Sequence, residues 1–386
     1  MQQQKKKLIR TSTVPLSLNV FCRGLLRDLS DEYEVLAVSS PGDDLQEIAA
    51  REGVRTVAIP MQRRMAPGKD LVSLVRLCRL FSHEKPDLVH SITPKAGLLS
   101  MLAARLTGVP VRLHTFTGLL FPYADGWKRQ VLKLTDRLTA ACATHIVPEG
   151  EGVKADLLAA GITDKPLEVL GYGNLRGIDL VHYDRTPDVL SEAERIRNRF
   201  GIGPEESVFL FVGRIVRDKG IVELTDAFLR LCEEGLPVHL LLCGCEEPET
   251  DPLPATTRTR MAECSRIHVS QGWLDDVRPW YAAADVLVHP SWREGFPNVV
   301  IEAGAMGLPA IVTDINGSRE IILPEENGVI VPPRDEDALY TQMLRFATRP
   351  EERERMATCA REKVAGRYEQ HFVQDCLKAY YHKILS

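Results

Sequence analysis

Short apolar runs rich in β-branched residues alternate along this chain with longer amphipathic stretches. Tyr33–Ser39 alternates tightly enough to predict a strand, and Asp44–Glu52 then carries a helical period. Val54–Ile59 predicts a second strand, followed by a helix over Lys69–Ser82 whose leucines recur at helical spacing. Asp87–His90, Val111–Thr115 and Thr144–Val147 repeat the strand pattern. The series restarts after Gly171: Ser207–Val212 is a predicted strand, Gly220–Glu233 a helix and Val238–Cys243 a strand. Ile267–Val269, Asp285–His289, Ala310–Val312 and Gly328–Val331 complete a second set. Strands that alternate with helices imply parallel sheets covered on both faces, so the fold class is α/β with two doubly wound domains joined near residues 172–200. Ligands in such domains lie beyond the carboxyl ends of the strands, here in a cleft between the two. The stretch Glu246–Thr257, rich in Pro, Glu and Thr, is expected to be a flexible surface loop.

Length agrees with two cores, since 386 residues exceed one ordinary domain. The balance of 44% hydrophobic and 26% charged residues is that of a globular protein. No apolar run approaches the roughly 18–20 residues of a membrane span. Met1–Arg10 is basic, but only Leu8 and Ile9 follow its lysines before polar residues return, too little for the apolar region of a signal peptide. A cytoplasmic location is therefore expected. The nine cysteines include no CxxC pair and are expected to be free thiols; Cys243 and Cys245 stand closest. Net charge is −5, yet bases exceed acids over residues 1–172 and acids dominate afterwards. A basic front half fits an anionic partner or surface as well as it fits plain variation between domains.

Two familiar nucleotide sites are missing. Thr11–Ser17 stands where a GxGxxG would follow the first strand, and there is no Walker A loop. The informative segment is Ser291–Gly304. A strand ends near Ser291, and a helix is expected to begin at Pro297 or Asn298, because proline suits the first helical position. Backbone N–H groups around Phe296–Val299 would then face an anion with the helix dipole behind them. Glu294 precedes this cradle and Glu302 lies about a turn into the helix, so two carboxylates flank it. Spacing alone leaves open an ordinary helix with a surface glutamate at each end. Val212-Gly-Arg214 with Lys219-Gly220 offers a fork and a point charge after a strand, a sensible diphosphate clamp.

Together these residues resemble the family-4 retaining glycosyltransferases of the GT-B fold, two Rossmann-like domains facing a central cleft. Glu294 and Glu302 match that family's E-x7-E motif, and Gly213, Arg214, Lys219 and Gly220 its G-R-x(n)-K-G pattern. His90–Gly97, His114–Gly118 and Glu294–Asn298 resemble bacterial transferases that build capsule, O-antigen and related lipid-linked glycans. The resemblance implies an acceptor-binding domain over 1–172, a donor-binding domain over 173–365, and a last helix, 366–386, returning to the first domain. It implies that Glu294 holds the sugar hydroxyls and Glu302 the ribose. Arg214, Lys219 and the amides near Phe296, Pro297 and Asn298 would hold the diphosphate, with Gln271 and Gly272 near the base. The donor implied is a UDP-sugar, with an amino sugar expected, and no cofactor or metal. The acceptor is lipid-linked or an oligosaccharide, the anomeric configuration is retained, and no nucleic-acid partner is expected.

Some positions depart from the family. A functional histidine is common where Thr117 stands here, with His114 three residues earlier, so His114 is the catalytic candidate and Thr117 an acceptor-side one. Lys95, after a strand, is a candidate for an acceptor phosphate. Glu320 either closes the donor pocket or caps a helix. Arg176 replaces an asparagine common in the linker. Asp43-Asp44 and Asp275-Asp276 read as turn and cap acids, and His145, His239, His268 and His289 as core or strand-end histidines. The last helix, Tyr368–Leu385, should bury Phe372, Cys376, Leu377, Tyr380, Tyr381 and Ile384. Basic clusters at Arg63-Arg64 with Lys69, Arg76 with Arg79, and Lys128-Arg129 with Lys133 and Arg137 suggest peripheral contact with the inner membrane. The last cluster stands beside Leu119, Leu120, Phe121, Tyr123 and Trp127. The rival readings are a UDP-N-acetylglucosamine 2-epimerase of the same fold and a non-catalytic nucleotide-sugar-binding subunit.

Overall fold

The computed structural model describes residues 5–62, 65–247, 249, 251–270, 272 and 274–386. Arg63, Arg64 and Gln271, named above, lie outside the described residues. The chain divides into two compact units, Met1–Gly177 with His371–Ser386, and Ile178–Gln370.

The first unit contains β1 (Lys7–Thr11), β2 (Glu34–Ser39), β3 (Arg55–Ala58), β4 (Leu88–Ile92), β5 (Val111–Phe116) and β6 (His145–Pro148). They form one parallel sheet in the order β3-β2-β1-β4-β5-β6. The second contains β7 (Ser207–Val212), β8 (Val238–Cys243), β9 (Ile267–Val269), β10 (Val286–His289), β11 (Ala310–Thr313) and β12 (Gly328–Val331). Its parallel order is β12-β11-β10-β7-β8-β9. Strands buried on both faces read as near-continuous apolar runs, and β7 and β8 are buried along their whole length. Their alternate residues feed two cores: Phe209 and Phe211 pack with Phe228 and Phe346, while Leu210 packs with Tyr281 and Val300.

Prolines open several helices at the position where a missing N–H costs nothing, as in Pro67–Glu84 and Pro94–Leu106. Two expectations fail locally. The loop foreseen over Glu246–Thr257 ends at Pro254, where a helix Ala255–Glu263 begins and buries Thr257 and Met261. The final helix does not run from Tyr368. Pro350–Tyr368 is a helix of its own; Glu369 then turns extended, and Gln370–Leu385 follows. Its buried stripe is Val373, Gln374, Leu377, Tyr380 and Tyr381. Phe372, expected inside, falls one position off that stripe and is 40% exposed.

Leu377 and Tyr381 share a core with Leu8, Leu18 and Leu88 of the first unit. Below them lies a buried polar knot. Arg10 is 1% exposed; one guanidinium nitrogen donates to the Tyr381 hydroxyl at 2.6 Å and meets His90 Nδ1, and another reaches Cys22 Sγ at 3.4 Å. His90 Nε2 bonds Thr115 Oγ1 at 2.8 Å. All nine cysteines are free thiols. No helix among the described residues is long and apolar enough to cross a membrane.

Candidate functional site

In each sheet the strand order reverses beside one strand, and the loops leaving its carboxyl end diverge to open a crevice. In the second unit that point lies between β7 and β10. The loop after β7 carries Arg214 and Lys219, and the loop after β10 carries Glu294. The chain must bring these loops into contact, and Gly220 permits it. Its φ is +73°, and a Cβ there would lie 2.1 Å from the Pro290 carbonyl oxygen.

Asp218 ties the two loops together. Its carbonyl accepts from Trp292 N–H at 2.9 Å and from Ser291 Oγ at 3.3 Å. Its carboxylate accepts from Arg293 Nη2 at 2.6 Å, and its own N–H donates to Asp251 Oδ2 at 2.7 Å. The Trp292 indole donates to Glu223 at 3.0 Å. Sequence reasoning passed over Asp218. Its one visible signal was an acid between the two cations of the clamp.

The tie brings Lys219 and Glu294 together as a hydrogen-bonded ion pair whose side chains are 14% and 19% exposed. His289, the last residue of β10, places Nε2 3.2 Å from the same carboxylate. Burial pushes the Glu294 carboxyl up, but the Lys219 charge and the bonds from His289 and Lys219 outweigh it, leaving the group held well below the usual carboxylate range. The structure therefore gives His289, read as a strand-end histidine, a polar task.

Arg214 and Lys219 take different acidic partners. Arg214 turns to Glu247 at 2.9 Å, with Asp218 at 3.9 Å, and stays largely exposed. The helix after the Glu294 loop runs Asn298–Ala305 with Pro297 as its cap, as the proline predicted. Phe296 is buried edge-on against Tyr368 at 5.6 Å. Glu302 is buried, and its Oε2 accepts from the Tyr281 hydroxyl at 3.0 Å. Burial first, then the Glu302 charge, hold that hydroxyl protonated well above its ordinary range. Gly272 adopts φ +74° with open space around it. Glu320 takes the capping role, accepting from Gly317 N–H at 3.4 Å. Asp276 is a turn acid bound to Arg278, and Asp43 and Asp44 open a helix.

The first unit reverses between β1 and β4. Thr13 and Thr93 meet there through their hydroxyls at 2.8 Å, and Thr13 Oγ1 also accepts from Ala96 N–H at 3.1 Å. Thr93 holds φ +69°, a strained value for a β-branched residue. Lys95, in the first turn of the following helix, pairs with Asp70 at 2.5 Å. Thr117 follows β5 and is half-buried.

His114, expected to be catalytic, is 1% exposed. Its Nδ1 meets Ser91 Oγ at 2.8 Å, its ring stacks edge-on to Phe116, and a Cβ on Gly97 would come within 2.3 Å of it. Burial lowers its pKa to about 3, against a raising contribution from the Ser91 hydrogen bond. His114 is thus an enclosed ring within β5, kept neutral by its burial.

Helix Gly126–Cys142 carries Trp127, Leu134 and Leu138 exposed at helical spacing. Lys128, Arg129 and Lys133 accompany them, while Arg137 is engaged by the Gly161 carbonyl at 3.0 Å. Burial raises the carboxyl of Asp136, the helix's one acid, to about 7.

Paired doubly wound units with cations, carboxylates and a helix amino end gathered at a switch point define a GT-B class enzyme. Two family models cover most of the chain: "Glycosyl transferases group 1" over residues 192–363 and "Glycosyl transferase 4-like domain" over 18–173. A capsular polysaccharide biosynthesis glycosyltransferase of Staphylococcus aureus, CapM, is 31% identical over 99% of this chain and 98% of its own. An Escherichia coli UDP-Gal:alpha-D-GlcNAc-diphosphoundecaprenol alpha-1,3-galactosyltransferase is 28% identical over 76% and 75%. Among solved structures, Anabaena Alr3699/HepE in complex with UDP matches with a TM-score of 0.80 at 17% identity, covering 98% of this chain and all of that one. The chain belongs to the family-4 glycosyltransferases of the GT-B fold.

Proposed function

We propose that this glycosyltransferase moves a sugar, an amino sugar by our reading, from a UDP-sugar to a lipid-linked or oligosaccharide acceptor in surface polysaccharide synthesis. The observation that carries the reading is the Lys219–Glu294 pair at the β7/β10 switch point. A cation and a carboxylate already neutralising each other are poised to exchange partners. The ammonium goes to a diphosphate and the carboxylate to sugar hydroxyls. Arg214, itself exposed and paired with the partly exposed Glu247 and, at 3.9 Å, with Asp218, joins the diphosphate at little cost. Amides at Pro297–Asn298 have the helix dipole behind them. Glu302 is placed for the ribose, and Gly272 borders the base. The cations neutralise the leaving group without a metal, and the leaving phosphate and incoming hydroxyl share one face of the sugar, which retains configuration. The protein's part is to stabilise the developing oxocarbenium and diphosphate charges.

Support for the donor comes from the UDP bound in the Anabaena neighbour and the UDP-galactose named for the E. coli relative. The same E. coli name supports a diphosphate-lipid acceptor. Thr13, Thr93, Lys95 and Thr117 form the acceptor-side set, with Lys95 released from Asp70 to meet a phosphate. Such a lipid lies at a membrane surface, and the Trp127–Leu134–Leu138 stripe with Lys128, Arg129 and Lys133 suits an anionic leaflet.

A thermal-shift screen over UDP-, GDP- and dTDP-sugars tests the donor, because binding to the folded state raises apparent stability. UDP-sugars, UDP-N-acetylglucosamine among them, should shift the midpoint. Slow UDP release from the active donor should accelerate with acceptor. A response confined to GDP- or dTDP-sugars, or UDP release with free sugar that no acceptor accelerates, overturns the reading.

A further inference from the structure

The Glu294 carboxylate is held through one of its two oxygens. Lys219 Nζ and His289 Nε2 both reach Oε1. No hydrogen bond from a described residue reaches Oε2, and the Glu294 side chain keeps 19% of its surface exposed. His289 itself is fixed. It ends β10 in register with Val312 of β11, is 2% exposed, and lies parallel to the Phe211 ring at 6.4 Å. Its Nδ1 is buried without a hydrogen-bond partner among the described residues. In the neutral ring the proton belongs on Nε2, facing the carboxylate, and Nδ1 keeps the lone pair.

The two anchors differ in kind. Lys219 is a flexible cation, and on the proposed reading a bound diphosphate draws it away from Glu294. His289 sits on a rigid strand end and has no phosphate to go to. We infer that His289 is a positioning residue for sugar transfer: it keeps Glu294 Oε1 anchored after Lys219 turns to the diphosphate, so that Oε2 alone meets the donor sugar. This rests on the glycosyltransferase reading of Glu294. The buried, unpartnered Nδ1 fits such a role. An apolar side chain would pack there without an orphaned nitrogen, so the imidazole carries a desolvation cost that its bond to Glu294 offsets.

The test uses the full chain and three variants. His289→Gln places an amide N–H near the position of Nε2, His289→Asn places one near Nδ1, and His289→Leu removes both. UDP release from UDP-galactose, UDP-glucose and UDP-N-acetylglucosamine gives kcat and KM, calorimetry gives the affinity for UDP alone, and a melt gives stability. The Leu and Asn variants should lose roughly 10²-fold in kcat, the scale of a displaced reacting group, while Gln recovers most of that loss. All three should bind UDP like the wild type, since UDP lacks the transferred sugar that Glu294 holds and its ribose is read by Glu302, and Leu should melt no lower than the wild type. A Leu variant with wild-type kcat, or equal losses in all three, overturns the inference. Glu294→Ala run in parallel separates the layers. If it is inactive while His289→Leu is active, only this inference fails; if it is itself active, the underlying site reading fails.

Discussion

Replacing Glu294 and Glu302 one at a time should separate two carboxylates that the sequence presents as a pair. Glu294 offers an open Oε2, and a hydrogen bond from a hydroxyl to a charged group contributes about 1.5–3 kcal/mol. At about 1.4 kcal/mol per tenfold, that is roughly 10- to 150-fold in rate if the bond tightens only in the transition state. Loss of sugar alignment adds to it, so Glu294→Ala should cut kcat by roughly 10²-fold or more. The fold should survive. Lys219 is freed at 14% exposure on a flexible stem, so the cost stays below the roughly 3–5 kcal/mol of breaking a fully buried pair. Glu302 is the reverse case. It is buried under the Tyr281 hydroxyl, so Glu302→Ala strands that hydroxyl and costs about 1–3 kcal/mol of stability while raising donor KM. Glu302→Gln keeps an acceptor for Tyr281 and should recover the stability. Initial rates of UDP release against donor concentration, with thermal melts of each variant, give both quantities. Near wild-type rates for both alanine variants would refute the site assignment, and a Glu294→Ala effect confined to KM would refute the transition-state role.

Transfer should survive EDTA, while Arg214→Ala or Lys219→Ala raises donor KM and lowers kcat, because phosphate charge grows in the transition state; activity lost on chelation and restored by Mg²⁺ or Mn²⁺ counts against this. Tyr381→Phe removes the 2.6 Å partner of a buried guanidinium and should cost about 1.5–3 kcal/mol in a denaturant titration, and truncation after Gly366, which also removes the buried Tyr368 from the second unit, should destabilise both units and abolish activity; a soluble, active truncation would disprove it. The protein should co-sediment with anionic vesicles at low salt, release at high salt, and bind less when Lys128, Arg129 and Lys133 become Ser, since each base near an anionic surface contributes about 1 kcal/mol. Protein left in the supernatant with those vesicles removes the membrane contact.

Every predicted strand exists because each is a compact apolar run closed by turn residues, a signal carried within a few positions. The helix after Pro297 was legible for the same reason. What escaped depends on the order of strands, which no local pattern encodes. β7 and β10 are neighbours in the sheet, and only that adjacency sets Lys219 against Glu294 and ties Asp218 to Trp292. The motif gave Glu294 and Glu302 alike, yet one pairs with Lys219 and the other lies under Tyr281, because Tyr281 reaches Glu302 from a separate helix. The enclosure of His114 was not legible either, because it depends on a residue of another element. Its enclosure comes from Gly97, whose missing side chain leaves room for the ring. Phe372 shows the limit of periodicity: it lies at the margin of a stripe whose Leu377, Tyr380 and Tyr381 are buried as expected, and there its neighbour Val373 takes the inner place.

The helix Gln370–Leu385 completes the core around Leu8, Leu18 and Tyr33, although the whole second unit intervenes in the chain. During synthesis the first six strands therefore leave the ribosome long before Leu377 and Tyr381 exist to cover them. The second unit, contiguous in sequence, is complete before that helix emerges and can mature ahead of the first. Until the last helix arrives, Arg10 and His90 lack the Tyr381 hydroxyl and Leu8 lacks part of its apolar cover, which makes the nascent amino-terminal half a natural client for chaperones.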